Sequence, residues 1–448
     1  MSERLFGTDG IRGRAGQWPL VADFLEHLGR VLGARVAAAG GERAVLGHDG
    51  RASGPGIVEA LDRGLAASGI HADEAGLCTT PALAYLAASG PYHAGVMVSA
   101  SHNPAEDNGI KIFGADGAKL PDSAEAALEA DLRAAPPPPA ARSGARRPRH
   151  DLLDGYADWL LRAFAGLDLR GRRILVDCAH GGASELAPRV LAALGAGVVA
   201  LHDRPDGTNI NRDCGALHPE PAARAAAAAG CDLGVSLDGD ADRGIVVDGT
   251  GRILDGDALL AGLASHLQRH GELPRATVVA TVMSNLALEA WLAQCGVSLL
   301  RTQVGDRFVA EAMRAGGYGL GGEKSGHLLF GADHGWRGDG LYTLLRVLRA
   351  LARDGQEAAA FAAGYRDYPQ RLVNLKVHRR VPLEQLTALA AETAALEREL
   401  AGTGRSVVRF SGTELRLRLM VEAADPALVE SALRRLAAAA RRDGILAE

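Results

Sequence analysis

Three stretches of this chain repeat one layout: an apolar strand, a polar turn, then an amphipathic helix. They are Ala44-Val45-Leu46-Gly47-His48-Asp49 leading into residues 57–65, Ile174-Leu175-Val176-Asp177-Cys178 into residues 186–194, and Val278-Val279-Ala280-Thr281-Val282 into residues 286–292. Parallel strands need a helical crossover, so each copy reads as the opening of a βαβ unit. Roughly 45–65 residues after each opening strand comes another that ends in an unusual polar loop, a period expected of repeated βαβ-type units. The loops are residues 99–104, 238–243 and 323–327. The pattern predicts three similar mixed α/β/α sandwich domains, each contributing one loop.

Towards the C-terminus the periodicity changes. Val373, Leu375 and Val377 alternate with polar residues, as do Leu415, Leu417, Leu419 and Val421, which is the pattern of half-buried antiparallel strands. Helical patterns over residues 383–400 and 426–441 accompany them, so a smaller α+β domain is expected. Residues 134–150 hold Pro136-Pro137-Pro138-Pro139 and then Arg142, Arg146, Arg147 and Arg149, and read as a solvated linker. The expected division is residues 1–150, 151–252, 253–366 and 367–448.

Charge and cysteine content exclude several classes. Lys and Arg number 49 against 54 Asp and Glu, a net charge of −5, which leaves no whole-chain basic field for nucleic acid. Cys78, Cys178, Cys214, Cys231 and Cys295 are odd in number and lack CxxC spacing, against a disulfide framework or a thiolate metal site. The opening residues contain no apolar signal region, and no run is long enough to span a bilayer. A cytoplasmic protein without membrane or nucleic-acid partners is expected.

The polar loops carry the chemistry. Val98-Ser99-Ala100-Ser101-His102-Asn103-Pro104 presents a hydroxyl, an imidazole and an amide at the end of the buried strand Ala94–Val98. Loops at strand carboxyl ends form the usual crevice of α/β folds, although Ser and Asn before Pro also serve as caps and turns. Asp238-Gly239-Asp240-Ala241-Asp242-Arg243 follows the strand Leu233–Leu237. Three carboxylates at alternate positions repel one another and suit a hard divalent cation, Mg²⁺ above all. An EF-hand is excluded, because its required glycine is Arg243 and its closing glutamate is Gly249.

Gly321-Gly322-Glu323-Lys324-Ser325-Gly326-His327 offers acceptors, donors and an imidazole suited to a hydroxyl-rich ligand. Gly317, Gly319 and Gly322 match a dinucleotide fingerprint, but no long helix follows, and Lys324 lacks the preceding glycine of a P-loop. Arg409-Phe410-Ser411-Gly412-Thr413-Glu414 links two strands; its hydroxyls, guanidinium and backbone N–H groups make an anion cradle or, alternatively, an ordinary hairpin turn. No Gly-x-Ser-x-Gly elbow surrounds Ser101, which excludes that class of serine hydrolase.

In chain order these four loops resemble the signature loops of the α-D-phosphohexomutase superfamily, over residues 5 to about 422. Further segments resemble its bacterial phosphoglucosamine mutase branch. They are the run from Phe6 through Arg12 to Gly13, Asn209-Ile210-Asn211 with Cys214-Gly215, His218-Pro219-Glu220, Thr281–Leu286 and Arg301–Arg307. The resemblance implies four domains around a central cleft and interconversion of glucosamine 6-phosphate and 1-phosphate, feeding UDP-N-acetylglucosamine and cell-wall synthesis. It implies a phosphoserine at Ser101, a sugar 1,6-bisphosphate as intermediate and activator, and one Mg²⁺ held by Asp238, Asp240 and Asp242 with the Ser101 oxygen. Arg243 would position the reacting groups, and Lys111 and His327 match positions of acid/base work, a solvated lysine being the other reading of Lys111. His102 adjoins the nucleophile and shapes its turn. Arg12, Glu323 and Ser325 would bind the substrate, and Arg409, Ser411, Gly412, Thr413 and Arg418 its non-reacting phosphate.

The family's phosphomannomutases and phosphoglucomutases share these loops and are the alternative. A catalytically idle phosphosugar-binding protein is a third reading, which loss of Ser101 or an aspartate would favour; neither is lost. A homodimer is left open. The chain departs from the pattern at Lys324, where glutamine is usual, at Phe410 and Leu415 around the cradle, and at Trp336-Arg337, where two threonines are common.

Overall fold

The computed structural model describes residues 5–7, 9–134, 147–149, 151–411 and 415–447. These form two compact units, one of residues 1–283 and 299–363, the other of residues 284–298 and 364–448.

Strands β1 (Ile11–Arg14), β2 (Arg43–His48), β3 (His71–Leu77), β4 (Ala94–Val98), β5 (Asp107–Gly114) and β6 (Arg147–Pro148) form a sheet in the order β1-β5-β4-β2-β3-β6. Strands β7 (Arg173–Asp177), β8 (Gly197–Leu201), β9 (Leu233–Leu237), β10 (Gly244–Asp248) and β11 (Ile253–Leu254) form a second, ordered β11-β10-β9-β7-β8. In the third, β12 (Thr277–Thr281), β13 (Ser298–Thr302), β14 (Leu320–Gly322) and β15 (Leu328–Phe330) run β13-β12-β14-β15. The expected repetition is therefore real. In each sheet an opening strand (β2, β7 or β12) lies between its next two strands in the chain, and the second of those turns back antiparallel. The polar loops occupy those three reversals.

Local sequence explains the elements. β4 and β9 are buried at every position, as short apolar runs covered on both faces should be. Helix Gly54–Ala67 opens with Pro55 in its first turn and buries Ile57, Val58, Leu61 and Leu65 at helical spacing. The Asp339 carboxylate caps helix Gly340–Asp354 by accepting from Tyr342 N at 2.9 Å, and Asp255 caps Gly256–Arg269 through Ala258 N at 3.0 Å.

The end of the linker segment is a short, exposed strand. Arg147 and Pro148 form β6, parallel to Asp73 and Glu74 of β3, and Arg149 N donates to Glu74 O at 2.8 Å. Pro148 fits because β6 is an edge strand. Arg142 and Arg146 lie outside the described residues.

In the second unit, β16 (Gln370–Lys376), β17 (Gly404–Phe410) and β18 (Arg416–Ala423) form an antiparallel sheet with β18 central. Leu417, Leu419 and Val421 are buried in a core shared with helices Thr387–Leu400 and Pro426–Arg442. Leu415 departs from the expected stripe and is 54% exposed, because the strand begins only at Arg416. Residues 383–385 form a separate 3₁₀ turn rather than the start of the helix. Asn285 and Glu422 tie this unit together: Asn285 Nδ2 donates to Tyr368 O at 3.0 Å, and Glu422 Oε1 accepts from Leu286 N at 2.7 Å.

Glycines let the first two sheets interlock. Gly182 N donates to Gly239 O at 2.8 Å within the second sheet's loops, and a Cβ on Gly182 would lie 2.0 Å from Cys78 O, just after β3 of the first sheet, which is backbone and cannot step aside. Gly182→Ala is therefore expected to destabilise the protein by about 1–3 kcal/mol, by analogy with overpacked cores. Gly155→Ala, in an open helical position, should be neutral or stabilise by roughly 0.5–1 kcal/mol. Calorimetric Tm values of the two variants check the contrast.

Candidate active site

Ser101 sits at the β4–β5 reversal with φ +53°, a left-handed conformation uncommon for a serine. Arg51 holds it there. Fully buried, its guanidinium donates through Nε to Asp49 Oδ2 at 2.9 Å and through Nη2 to Ser101 O and Asn103 O, both at 2.9 Å. Its Nη1 reaches Pro104 O and, at 3.0 Å, Asp107 O. Four N–H groups thus reach one turn while the fifth anchors the guanidinium on Asp49, which a lysine could not do. Ser99 Oγ donates to Asp49 Oδ2 at 2.6 Å and accepts from Ser101 N at 2.8 Å. Asn211, also at positive φ, donates to Ser101 O at 2.9 Å. Strain at the serine is offset by this surrounding network.

The turn aims the serine hydroxyl at the aspartate loop. Ser101 Oγ donates to Asp238 Oδ2 at 2.6 Å and lies 3.3 Å from His102 Nδ1. Asp238, Asp240 and Asp242 are all buried, and each places a carboxylate oxygen within 4.8 Å of the others. Burial first, then Asp242 and Asp240, pushes the Asp238 carboxyl well above its ordinary range. Burial would raise Asp242 too, but Lys111, His327 and Arg243 outweigh it and hold that carboxyl low. Asp240 Oδ1 and Asp242 Oδ1 are buried without a hydrogen-bond partner. An all-carboxylate donor set with unused buried lone pairs fits a hard divalent cation such as Mg²⁺.

Lys111 is not a solvated lysine. It is 2% exposed, and Nζ lies 2.8 Å from Asp240, 2.9 Å from Asp242 and 3.1 Å from Asp9. Burial disfavours its charge, but the three carboxylates prevail and raise its pKa well above the usual lysine value. His327, also buried, stands between Asp242 (3.8 Å) and Asp306 (3.7 Å). Lys119 joins Asp306 at 2.6 Å to Asp9 at 2.5 Å. Burial, reinforced by Arg243 and Arg12, lowers the His102 pKa to about 4, so this ring is neutral at pH 7.

Above these groups opens a cavity of about 710 Å³. Arg12, His102, Arg243, Glu323, Ser325 and His327, six residues expected at the site, all line it. Arg12 pairs with Asp9, and Glu323 Oε1 accepts from Gly305 N at 3.1 Å. Lys324, the departure from glutamine, pairs with Asp255 at 3.1 Å. Within the second unit, Arg409 and Arg418 are direct cross-strand neighbours on β17 and β18. Like charges so placed repel unless an anion joins them. Arg418 Nη2 donates to Ser411 Oγ at 3.3 Å. Gly412 and Thr413 lie outside the described residues.

Sequence reasoning assigned no role to Asp9, Asp49, Arg51, Ser99, Lys119 and Asp306, although Asp49 and Ser99 lay inside stretches singled out for their strand-and-loop pattern. Asp9 and Asp306 lay inside segments already noted for their resemblance, but carried no role. Arg51 gave no signal, since a single arginine after a strand looks solvated.

The four family models of phosphoglucomutase/phosphomannomutase each match. Alpha/beta/alpha domain I matches residues 3–137, domain II residues 154–251, domain III residues 255–368 and the C-terminal domain residues 372–439. The chain is 44% identical to the phosphoglucosamine mutase of Symbiobacterium thermophilum over 95% of this chain and 96% of the relative. It is 45% identical to that of Cereibacter sphaeroides over 98% and 99%. A crystal structure of a phosphoglucomutase/phosphomannomutase family protein from Burkholderia thailandensis superposes with a TM-score of 0.83 at 27% identity, covering 99% of this chain and 98% of that one. The N-acetylphosphoglucosamine mutase of Aspergillus fumigatus, solved with GlcNAc-6P and magnesium, shares the fold at 20% identity with a TM-score of 0.63, over 98% and 96% of the chains.

Lys111→Met tests the charge cluster. At pH 7 the lysine's contribution is complete, because its charge holds Asp9 and Asp242 below the ordinary carboxylate range while those carboxylates hold Lys111 above the ordinary lysine range. Removing it leaves its buried carboxylate partners without that cation, and a loss of about 3–5 kcal/mol is expected. Denaturant unfolding at pH 7 measures it.

Proposed function

The chain belongs to the phosphoglucomutase/phosphomannomutase family, and we propose that it is a phosphoglucosamine mutase that interconverts glucosamine 6-phosphate and glucosamine 1-phosphate. The observation that carries the chemistry is the Ser101 hydroxyl on Asp238, above two carboxylates with unused buried oxygens. The amino-sugar assignment is supported by relatives of that name, matched at 44–45% identity over nearly the whole chain. The reaction belongs in the cytoplasm and supplies amino-sugar precursors for the cell wall, a placement supported by five free cysteines.

In this reading Ser101 is a phosphoryl carrier. As the phosphoserine ester it loses its P–Oγ bond while a sugar hydroxyl forms a new O–P bond; the hydroxyl's proton passes by way of the site's proton-exchanging group to the freed Ser101 Oγ, leaving a sugar 1,6-bisphosphate. The bisphosphate turns around, Ser101 Oγ gives up that proton and bonds the other phosphorus as its O–P bond to the sugar breaks, and the released sugar oxygen takes up the proton. Such transfers depend on positioning and charge compensation rather than on a strong nucleophile. Asp238, Asp240 and Asp242, with the serine-borne oxygen, would hold one Mg²⁺, which supplies charge stabilisation to the phosphoryl oxygens.

The other residues orient and exchange protons. Arg243, 4.0 Å from both Asp238 and Asp242, keeps Nε without a hydrogen-bond partner and is assigned to the transferring group. His327 is the preferred proton-exchanging group because it lines the cavity. Lys111 fits a charge-holding role better than that of a base, since its carboxylates keep it protonated. Neutral His102 shapes the serine turn. Glu323 and Ser325 bind sugar hydroxyls, Arg12 the anionic substrate, and Arg409, Ser411, Gly412, Thr413 and Arg418 the phosphate not being transferred.

The competing reading is a mutase of glucose or mannose phosphates, favoured only by the change at Lys324. With a sugar bisphosphate activator present, kcat/KM for glucosamine 6-phosphate is expected to exceed that for glucose and mannose 6-phosphates by at least about tenfold, roughly one good polar contact. A reversed order overturns the amino-sugar assignment. Ser101→Ala should lose on the order of 10⁴-fold or more in kcat, and mass spectrometry of the wild-type protein should find phosphate on Ser101.

A further inference from the structure

Away from the cavity, two helices of the first unit bring together metal-ligating side chains to which the mutase reaction gives no work. His266 and His270 are four residues apart, at the last turn and C-terminal cap of helix Gly256–Arg269, so they share a face. Asp354 ends helix Gly340–Asp354 opposite them. His266 Nδ1 lies 3.0 Å from Asp354 Oδ2, and His270 Nε2 lies 2.8 Å from Oδ1. All three ligand atoms fall within 4.8 Å of one another.

We propose that His266, His270 and Asp354 form a second metal site, selective for Zn²⁺ or a similar borderline divalent ion, that clasps the C-terminal ends of these helices. Two imidazoles and one carboxylate suit Zn²⁺, whereas Mg²⁺ prefers oxygen ligands. Bonds of about 2.1 Å in a tetrahedron put ligand atoms roughly 3.4 Å apart. The two N···O gaps are already that close. His270 is 29% exposed at its side chain, against 7% for His266 and 11% for Asp354, which leaves a solvent side for a water ligand.

Binding needs no redox change. Each imidazole moves its proton to the other ring nitrogen through solvent, and the freed lone pair replaces a hydrogen bond to Asp354. Arg269 Nη2 bonds Asp354 Oδ2 and would keep that contact beside the ion. Arg353 holds Glu272 close by at 2.6 Å, and those side chains stay paired. The site also answers an electrostatic problem. A carboxylate at the C-terminal end of a helix opposes the macrodipole, and three cationic or hydrogen-bonding neighbours already compensate it.

The test uses the full chain with Mg²⁺ in millimolar excess, so that the aspartate loop is not open to Zn²⁺. Zn²⁺ alone is titrated by equilibrium dialysis into the wild-type protein, His270→Ala and Asp354→Asn. The expected result is one tightly held Zn²⁺ per wild-type chain, weakened at least about tenfold in each variant. The wild-type Tm should rise with Zn²⁺ and that of His270→Ala should not. Metal-free circular dichroism and Tm of His270→Ala should match the wild type, since that ring is partly exposed. If Asp354→Asn fails to fold, His270→Ala decides. No Zn²⁺ uptake, or equal uptake by wild type and His270→Ala, overturns the proposal.

Discussion

Everything at the reactive centre depends on holding three buried carboxylates in a small volume. Asp238, Asp240 and Asp242 follow a buried strand, and burial, then the repulsion of Asp242 and Asp240, raises the Asp238 pKa. An isolated carboxylate in such surroundings would neutralise itself by taking up a proton. Here Lys111 is inserted between Asp9, Asp240 and Asp242, and Lys119 between Asp9 and Asp306. The result is an alternating lattice of charge rather than a chain of separate salt bridges. Its members come from the segment before β1, from β5, from the segment after it, from the β9–β10 reversal and from the start of helix Asp306–Gly316, so the charge balance exists only once these parts have packed.

That dependence explains what could be read in advance. The repeated strand–turn–helix pattern was legible because period-two and 3.6-residue patterning are local, and β4 and β9 fall where the apolar runs predicted them. The aspartate loop was legible because its three carboxylates are adjacent in the chain. Arg51 was not. Its role exists only through carbonyls at residues 101, 103, 104 and 107, brought to it by strand pairing. Lys111 has the same character: its alternation in β5 marks it as inward or outward, but which carboxylates meet it is a tertiary fact. Leu415 fails in the opposite direction, since period-two alternation was extended one residue beyond the strand.

The departures from the family pattern divide into two kinds. Lys324 changes charge in the sugar loop, yet its ammonium turns to Asp255 and Asp257 at the start of helix Gly256–Arg269. Glu323 and Ser325 keep their places on the cavity. The change is thus accommodated locally, and it gives little reason to reassign the sugar. Trp336 and Arg337 are of another kind. They line a second cavity of about 320 Å³ whose wall includes Asp242, Asp306 and His327, the last two of which also line the first.

His327 and Asp306 therefore have two faces, one on each cavity. At Gly338, beside Arg337, even a Cβ would lie 2.0 Å from the His327 ring, so the backbone there is pressed against the imidazole. Arg314 lies over the Trp336 ring at 5.3 Å, and Arg337 Nε donates to His334 O at 3.0 Å, which fixes the segment from behind. A pair of threonines could not provide that bulk. The His327 ring is thus backed by residues outside the signature loops. Sequence change behind the imidazole can alter its orientation while every signature loop stays intact. Specificity in such a site is set as much by what stands behind a side chain as by what it faces.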